Sequence, residues 1–154
     1  MATSIPKLKL RESSVVGPRN SQRTSWLRLL MVGGSLAIVA TVANLALALA
    51  LRRWLQIPAG FQPLTTPFVA SFTIIGMIAA TVVFAWTAYT QPDPIRRFLV
   101  IATLGLFLSW LPDLAIWATA VFHGTTGTGI LSLMALHVVA AASAVAILTR
   151  FGLR

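Results

Sequence analysis

Cysteine is absent from this 154-residue chain, and acidic residues nearly so: Glu12, Asp93 and Asp113 are the only three. The first absence excludes a disulfide framework, thiolate metal sites, iron–sulfur clusters and a thiol nucleophile. Charged residues of both signs together make up 10% of the sequence, where an ordinary soluble domain carries about 25%. A water-soluble fold would have too little polar surface to cover itself. Also missing are a Gly-rich phosphate loop followed by Lys, the Ser/His/Asp spacing of hydrolases, and a basic helix face with interleaved aromatics for nucleic acid. No internal repeat stands out.

What the chain has instead is 57% hydrophobic residues and a mean hydropathy of +0.85. They are gathered into four runs, about Leu29 to Leu51, Pro67 to Tyr89, Phe98 to Phe122 and Ile130 to Thr149. Roughly 20 apolar residues at 1.5 Å per residue cross a hydrocarbon core of about 30 Å, and only helices or closed barrels satisfy their backbone groups there. The expected fold is therefore all-α, an integral membrane four-helix bundle over residues 26–154 behind a disordered basic tail, 1–25. Short connections make neighbouring spans antiparallel, up-down-up-down.

Twelve basic residues orient the spans. Lys7, Lys9, Arg11, Arg19, Arg23 and Arg28 precede the first run, Arg96 and Arg97 lie in the second connection, and Arg150 and Arg154 follow the fourth. Only Arg52 and Arg53 fall on the other side. Ten against two puts both termini in the cytoplasm and the first and third connections outside by the positive-inside rule, with the tail against anionic headgroups. Ala46-Leu47-Ala48 near the end of the first run resembles a signal-peptide cleavage site. That run is too long, and its tail too extended, for a cleaved signal.

The first connection holds Trp54, Pro58, Gly60, Phe61 and Pro63. Proline and glycine stop the helix there, and Trp54 and Phe61 are expected at the outer interface with Arg52 and Arg53 snorkelling to headgroups. In the second, Gln91-Pro92-Asp93-Pro94 makes a tight turn with Asp93 as the expected cap of the third helix. The third, His123 to Gly129, is short and Gly/Thr-rich.

Chemistry is expected where polar groups enter the membrane. Counted from the outer ends of their runs, Asn44, Asp113 and His137 lie roughly 12, 15 and 12 Å deep and Thr73 about 9 Å deep. Each apolar run thus contributes one polar side chain at a similar level. Small-residue stripes accompany three of them: Ala37, Thr41 and Ala48 with Asn44; Ala70, Gly76 and Ala80 with Thr73; Ala141 and Ala144 with His137. Such faces let membrane helices approach closely. Asp113 shares its stripe with Ser109, Trp110, Trp117 and Ala120, the tryptophans being suited to walling an apolar pocket. A carboxylate at this depth costs at least about 2.5 to 3.5 kcal/mol and needs a partner, for which His137 and Arg52 are the candidates. Asp113 also follows Pro112, which removes a backbone donor near Ser109 and favours a kink or hydrated gap.

Asparagine closing the first span, a Trp/Arg-bearing outer loop and the run Met134-Ala135-Leu136-His137-Val138-Val139-Ala140-Ala141 resemble small four-span bacterial membrane proteins with a domain of unknown function. The resemblance covers roughly residues 27–150 and implies an inner-membrane location without an activity. The sequence favours a non-enzymatic bundle that binds a small apolar or protonatable ligand, or a membrane partner or second copy, with no nucleic acid and no cofactor. Its site residues are Asp113, His137, Asn44, Arg52, Trp110, Trp117 and Thr73. The alternative is a membrane enzyme or proton-coupled carrier in which Asp113 and His137 exchange protons with substrate. Haem is disfavoured because His123 and His137 sit at different depths, and a metal lacks a third ligand.

Overall fold

The computed structural model describes residues 25–153. The basic tail expected over residues 1–25, Ser25 excepted, and Arg154 lie outside the described residues. The described residues form four α-helices, α1 (Trp26–Trp54), α2 (Thr66–Thr90), α3 (Pro94–Thr119) and α4 (Gly127–Phe151), and one short 3₁₀ turn, Gln62–Leu64. Each apolar run has become one helix. All four are long and apolar enough to cross a membrane, and a helix is the form in which a chain so poor in polar side chains satisfies its backbone within each segment.

The ends depart from expectation most in α3, which begins at Pro94 rather than Phe98 and stops at Thr119 rather than Phe122. Proline is tolerated at a helix start because no amide is needed there. Asp93 occupies the N-cap position, but its side chain makes no capping bond. Only its carbonyl takes part, accepting from the Arg97 amide at 3.2 Å. At the far end Ala120 adopts a left-handed conformation (φ 46°), and its amide bonds Ile116 O at 2.9 Å to terminate the helix. Thr126 does cap α4, its Oγ1 accepting from the Gly129 amide at 3.1 Å.

Helix α1 packs against α2 and α4, α3 packs against the same two, and α2 and α4 also touch. The inner pair thus carries α1 on one side and α3 on the other. On α1 the buried stripe is Leu29, Gly33, Leu36, Ala40, Asn44 and Ala48, the three-to-four spacing of one helical face. Gly33 brings α1 close to α2: a Cβ there would lie 2.6 Å from Thr81 Cγ2 and 2.9 Å from Thr81 Oγ1. Thr81 is not free to yield, being β-branched and bonded to Met77 O at 2.8 Å. Gly33→Val is therefore expected to destabilise the protein by about 1 to 3 kcal/mol through overpacking, read as a lower unfolding midpoint in a denaturing-detergent titration. An unchanged midpoint would mean that α1 and α2 are not in close contact here.

Two apolar clusters hold the helices together. One contains Leu29, Leu36, Met77, Phe84, Phe98 and Leu148. The other contains Ala48, Val69, Ile130, Leu133 and Leu136 with three residues of the first connection, Ile57, Phe61 and Leu64. The outer placement expected of Phe61 is thereby corrected. Trp54 is exposed, but Phe61 is completely buried, because the 3₁₀ turn folds the connection back over the helix ends and inserts the ring beside Gly129. Arg52 holds this fold-back, donating from Nη2 to Ala59 O at 3.1 Å and from Nη1 to Leu64 O at 3.4 Å.

Helix α3 is the outlying element, burying only Phe98 and Asp113 of its 26 residues. A helix that otherwise shows apolar side chains to its surroundings thus turns its one carboxylate inward.

Candidate functional site

Between the two apolar clusters lies a level of polar side chains. Asn44, at 2% exposure on the buried stripe of α1, donates from Nδ2 to Thr73 Oγ1 of α2 at 3.0 Å. The bond uses one side of the amide. Asn44 Oδ1 is buried with no hydrogen-bond partner among the described residues, a state that ordinarily costs about 1 to 3 kcal/mol.

Across from this pair, His137 Nδ1 of α4 lies 3.2 Å from Asp113 Oδ2 of α3. Asp113 is 4% exposed and His137 half-buried. The contact is of hydrogen-bonding length and joins an acidic to a basic group, so one proton determines whether the pair is neutral or carries a negative charge. Pro112 stays inside α3, and Ser109 one turn earlier turns its hydroxyl onto Leu106 O at 2.7 Å.

Asn44, Thr73, Asp113 and His137 all line one cavity of about 390 Å³. This lies within the roughly 300 to 1,000 Å³ usual for small-molecule sites. Its remaining walls are mostly apolar: Val69 and Met77 from α2, Leu133 and Leu136 from α4, Ile116 from α3. Pro63 of the folded-back connection and Phe122 beyond α3 also border it. Three lining residues, Phe72, Gly76 and Pro112, are exposed, which marks an opening along the α2–α3 side.

Three residues expected at the site lie elsewhere. Arg52 does not reach toward Asp113; its guanidinium is engaged by the carbonyls of the connection. Trp117 is 59% exposed, on the outward side of α3. Trp110 is half-buried, edge-on to Phe107 at 5.3 Å, and is not among the cavity residues. Helix α3 touches its neighbours along a narrow line through Phe98 and Asp113, and the Trp117 ring beside that line turns outward; Trp110 is packed away from the cavity, with its Nε1 buried and without a partner among the described residues. Sequence reasoning in turn missed Pro63, Phe68 and Phe122 as walls, since each sits in or near a connection. Three large apolar residues close together, Phe61, Pro63 and Leu64, were the available signal that the first connection folds inward. Asp113 and His137 provide two potential metal ligands, and among the described residues no third His, Asp or Glu joins them.

Four apolar helices of membrane-crossing length, packed around a cavity with a polar level in its wall, define a multi-pass membrane protein. The chain belongs to a family of unknown function, DUF6069, whose sequence model matches residues 21–154. Neither the curated proteins nor the solved structures contain a match to it.

Proposed function

We propose that this is a non-enzymatic membrane protein that holds a small apolar or protonatable ligand in the cavity between its helices. The observation that carries this reading is the meeting of four polar side chains from four different helices on one otherwise apolar cavity. Polar groups are costly inside a membrane and are ordinarily paired off or put to use. Here one buried acceptor, Asn44 Oδ1, faces no protein partner among the described residues.

The location we propose is the cell (inner) membrane, as the resemblance to small four-span bacterial membrane proteins implies, and the charge distribution supports both ends of the chain being cytoplasmic. Cross-helix contacts support an up-down-up-down course. Trp26 stacks on Tyr89 at 5.1 Å while Asn44 bonds Thr73, so the start of α1 meets the end of α2.

The test is mass spectrometry of small molecules that co-purify with the detergent-solubilised protein. One species enriched over a detergent blank is expected, and Asp113→Asn should lower its occupancy about tenfold, the worth of one charge-assisted hydrogen bond. An Asp113→Asn protein that melts lower yet keeps its occupant would reduce the aspartate to a packing role. The imidazole–carboxylate contact also favours a second reading, proton exchange with substrate in a membrane enzyme or a homodimeric carrier. That reading gains if Asp113→Asn retains the ligand but abolishes a pH-dependent signal.

A further inference from the structure

We propose that the occupant of the cavity is a single-chain amphiphile with a cationic, hydrogen-bond-donating head, an alkylammonium being the simplest case, which enters from the bilayer between α2 and α3. The proposal rests on the binding reading above and assigns the chemistry and the route of the ligand. The head is read from what the polar level still has to offer. Thr73 Oγ1 already accepts from Asn44, and the Ser109 hydroxyl is spent on its own helix. The strongest acceptor on the cavity wall is the carboxylate of Asp113; Asn44 Oδ1 is also without a partner among the described residues, but it is itself buried. His137 is the one ion-pair partner that Asp113 has among the described residues. A ligand bringing N–H donors and a positive charge satisfies that carboxylate with charge-assisted bonds. A carbonyl or carboxylate head does not.

The tail is read from the remainder of the wall. Val69, Met77, Leu133 and Leu136 give an alkyl chain a dry surface. The route is read from how α2 meets α3. Aromatic pairs close the seam at both ends, Phe84 edge-on to Phe98 at 5.1 Å and Phe68 edge-on to Phe122 at 6.4 Å. Between them lie the exposed cavity residues Phe72, Gly76 and Pro112, and a Cβ added at Gly76 would meet nothing within 4 Å. Phe72 is 66% exposed, so the mouth is rimmed by apolar surface at the depth of a membrane-crossing helix. An opening of this kind admits a chain already dissolved in lipid and turns away hydrated ions.

The experiment uses the full chain in phosphatidylcholine nanodiscs, titrated with dodecylamine, dodecanoate and 2-dodecanone, with bound ligand counted by native mass spectrometry. Dodecylamine is expected to bind about tenfold or more tighter than the other two, a margin of about 1.4 kcal/mol. Asp113→Asn should erase that margin. Gly76→Phe, which places a ring over the mouth where space is open, should weaken dodecylamine binding about tenfold at an unchanged melting temperature. Equal binding of the three probes, or preference for the ketone or the carboxylate, overturns the head assignment while the pocket reading stands. Failure of all three to bind overturns both. Undiminished binding in a folded Gly76→Phe protein overturns the route.

Discussion

Truncation of Phe61 to alanine is expected to cost about 3 to 5 kcal/mol, the usual penalty for emptying a fully buried aromatic site. The ring has no exposed surface, and it lies so near α4 that a Cβ at Gly129 would come within 3.0 Å of its Cε1. Its neighbours cannot collapse into the void easily. Backbone bonds, Phe61 N to Pro58 O at 3.1 Å and Leu64 N to Phe61 O at 3.3 Å, hold the turn around it, and Arg52 ties the same segment to the end of α1. The loss should reach the cavity as well, because Pro63, which forms part of its wall, is two residues away. The check is a denaturing-detergent titration in mixed micelles alongside ligand retention. A change below about 1 kcal/mol, the level of an ordinary surface substitution, would show that the connection does not plug the helix ends.

The second large effect is a non-additive one. His137→Leu should destabilise by about 3 kcal/mol, since it leaves the buried Asp113 without the partner 3.2 Å away. Asp113→Leu combined with His137→Leu should recover most of that loss, because two apolar side chains need no solvation and pack against the apolar wall. Ligand retention should not return with it. Such a protein, stable but empty, would separate what the pair does for folding from what it does for binding. A double variant less stable than either single one would assign the pair to structure instead. The figure for the single variant sits at the lower end of the buried-pair range because the imidazole is 34% exposed.

The four helices were legible because a membrane-crossing segment announces itself by length and apolarity alone. That Asn44, Thr73, Asp113 and His137 meet on one cavity was legible for a related reason: rise per residue converts sequence position into distance along a helix. Rotation about the helix axis is less secure. Counting steps from Asp113 placed Trp110 and Trp117 on its face, yet neither lines the cavity, and Trp117 is exposed, because lipid accepts an apolar side chain as readily as protein does. In such a solvent hydrophobicity does not say which way a residue points. Polar residues do carry that information, and Asn44 and Asp113 are both buried.

Connections were the least legible part. Phe61 beside prolines and a glycine reads as an interfacial aromatic, and nothing local distinguishes it from Trp54, which is exposed. The same holds for Arg52, whose reach from the end of α1 allows either the cavity or the connection. Both outcomes depend on where distant segments lie. Composition and periodicity by themselves determined that this chain forms four apolar helices, since that follows from transfer energies and helix geometry within one segment. Only the tertiary structure decided that the first connection closes one end, that α3 stands apart with Asp113 as its inward contact, and that a cavity opens between α2 and α3. Those are properties of how surfaces fit across helices, and no single segment encodes them.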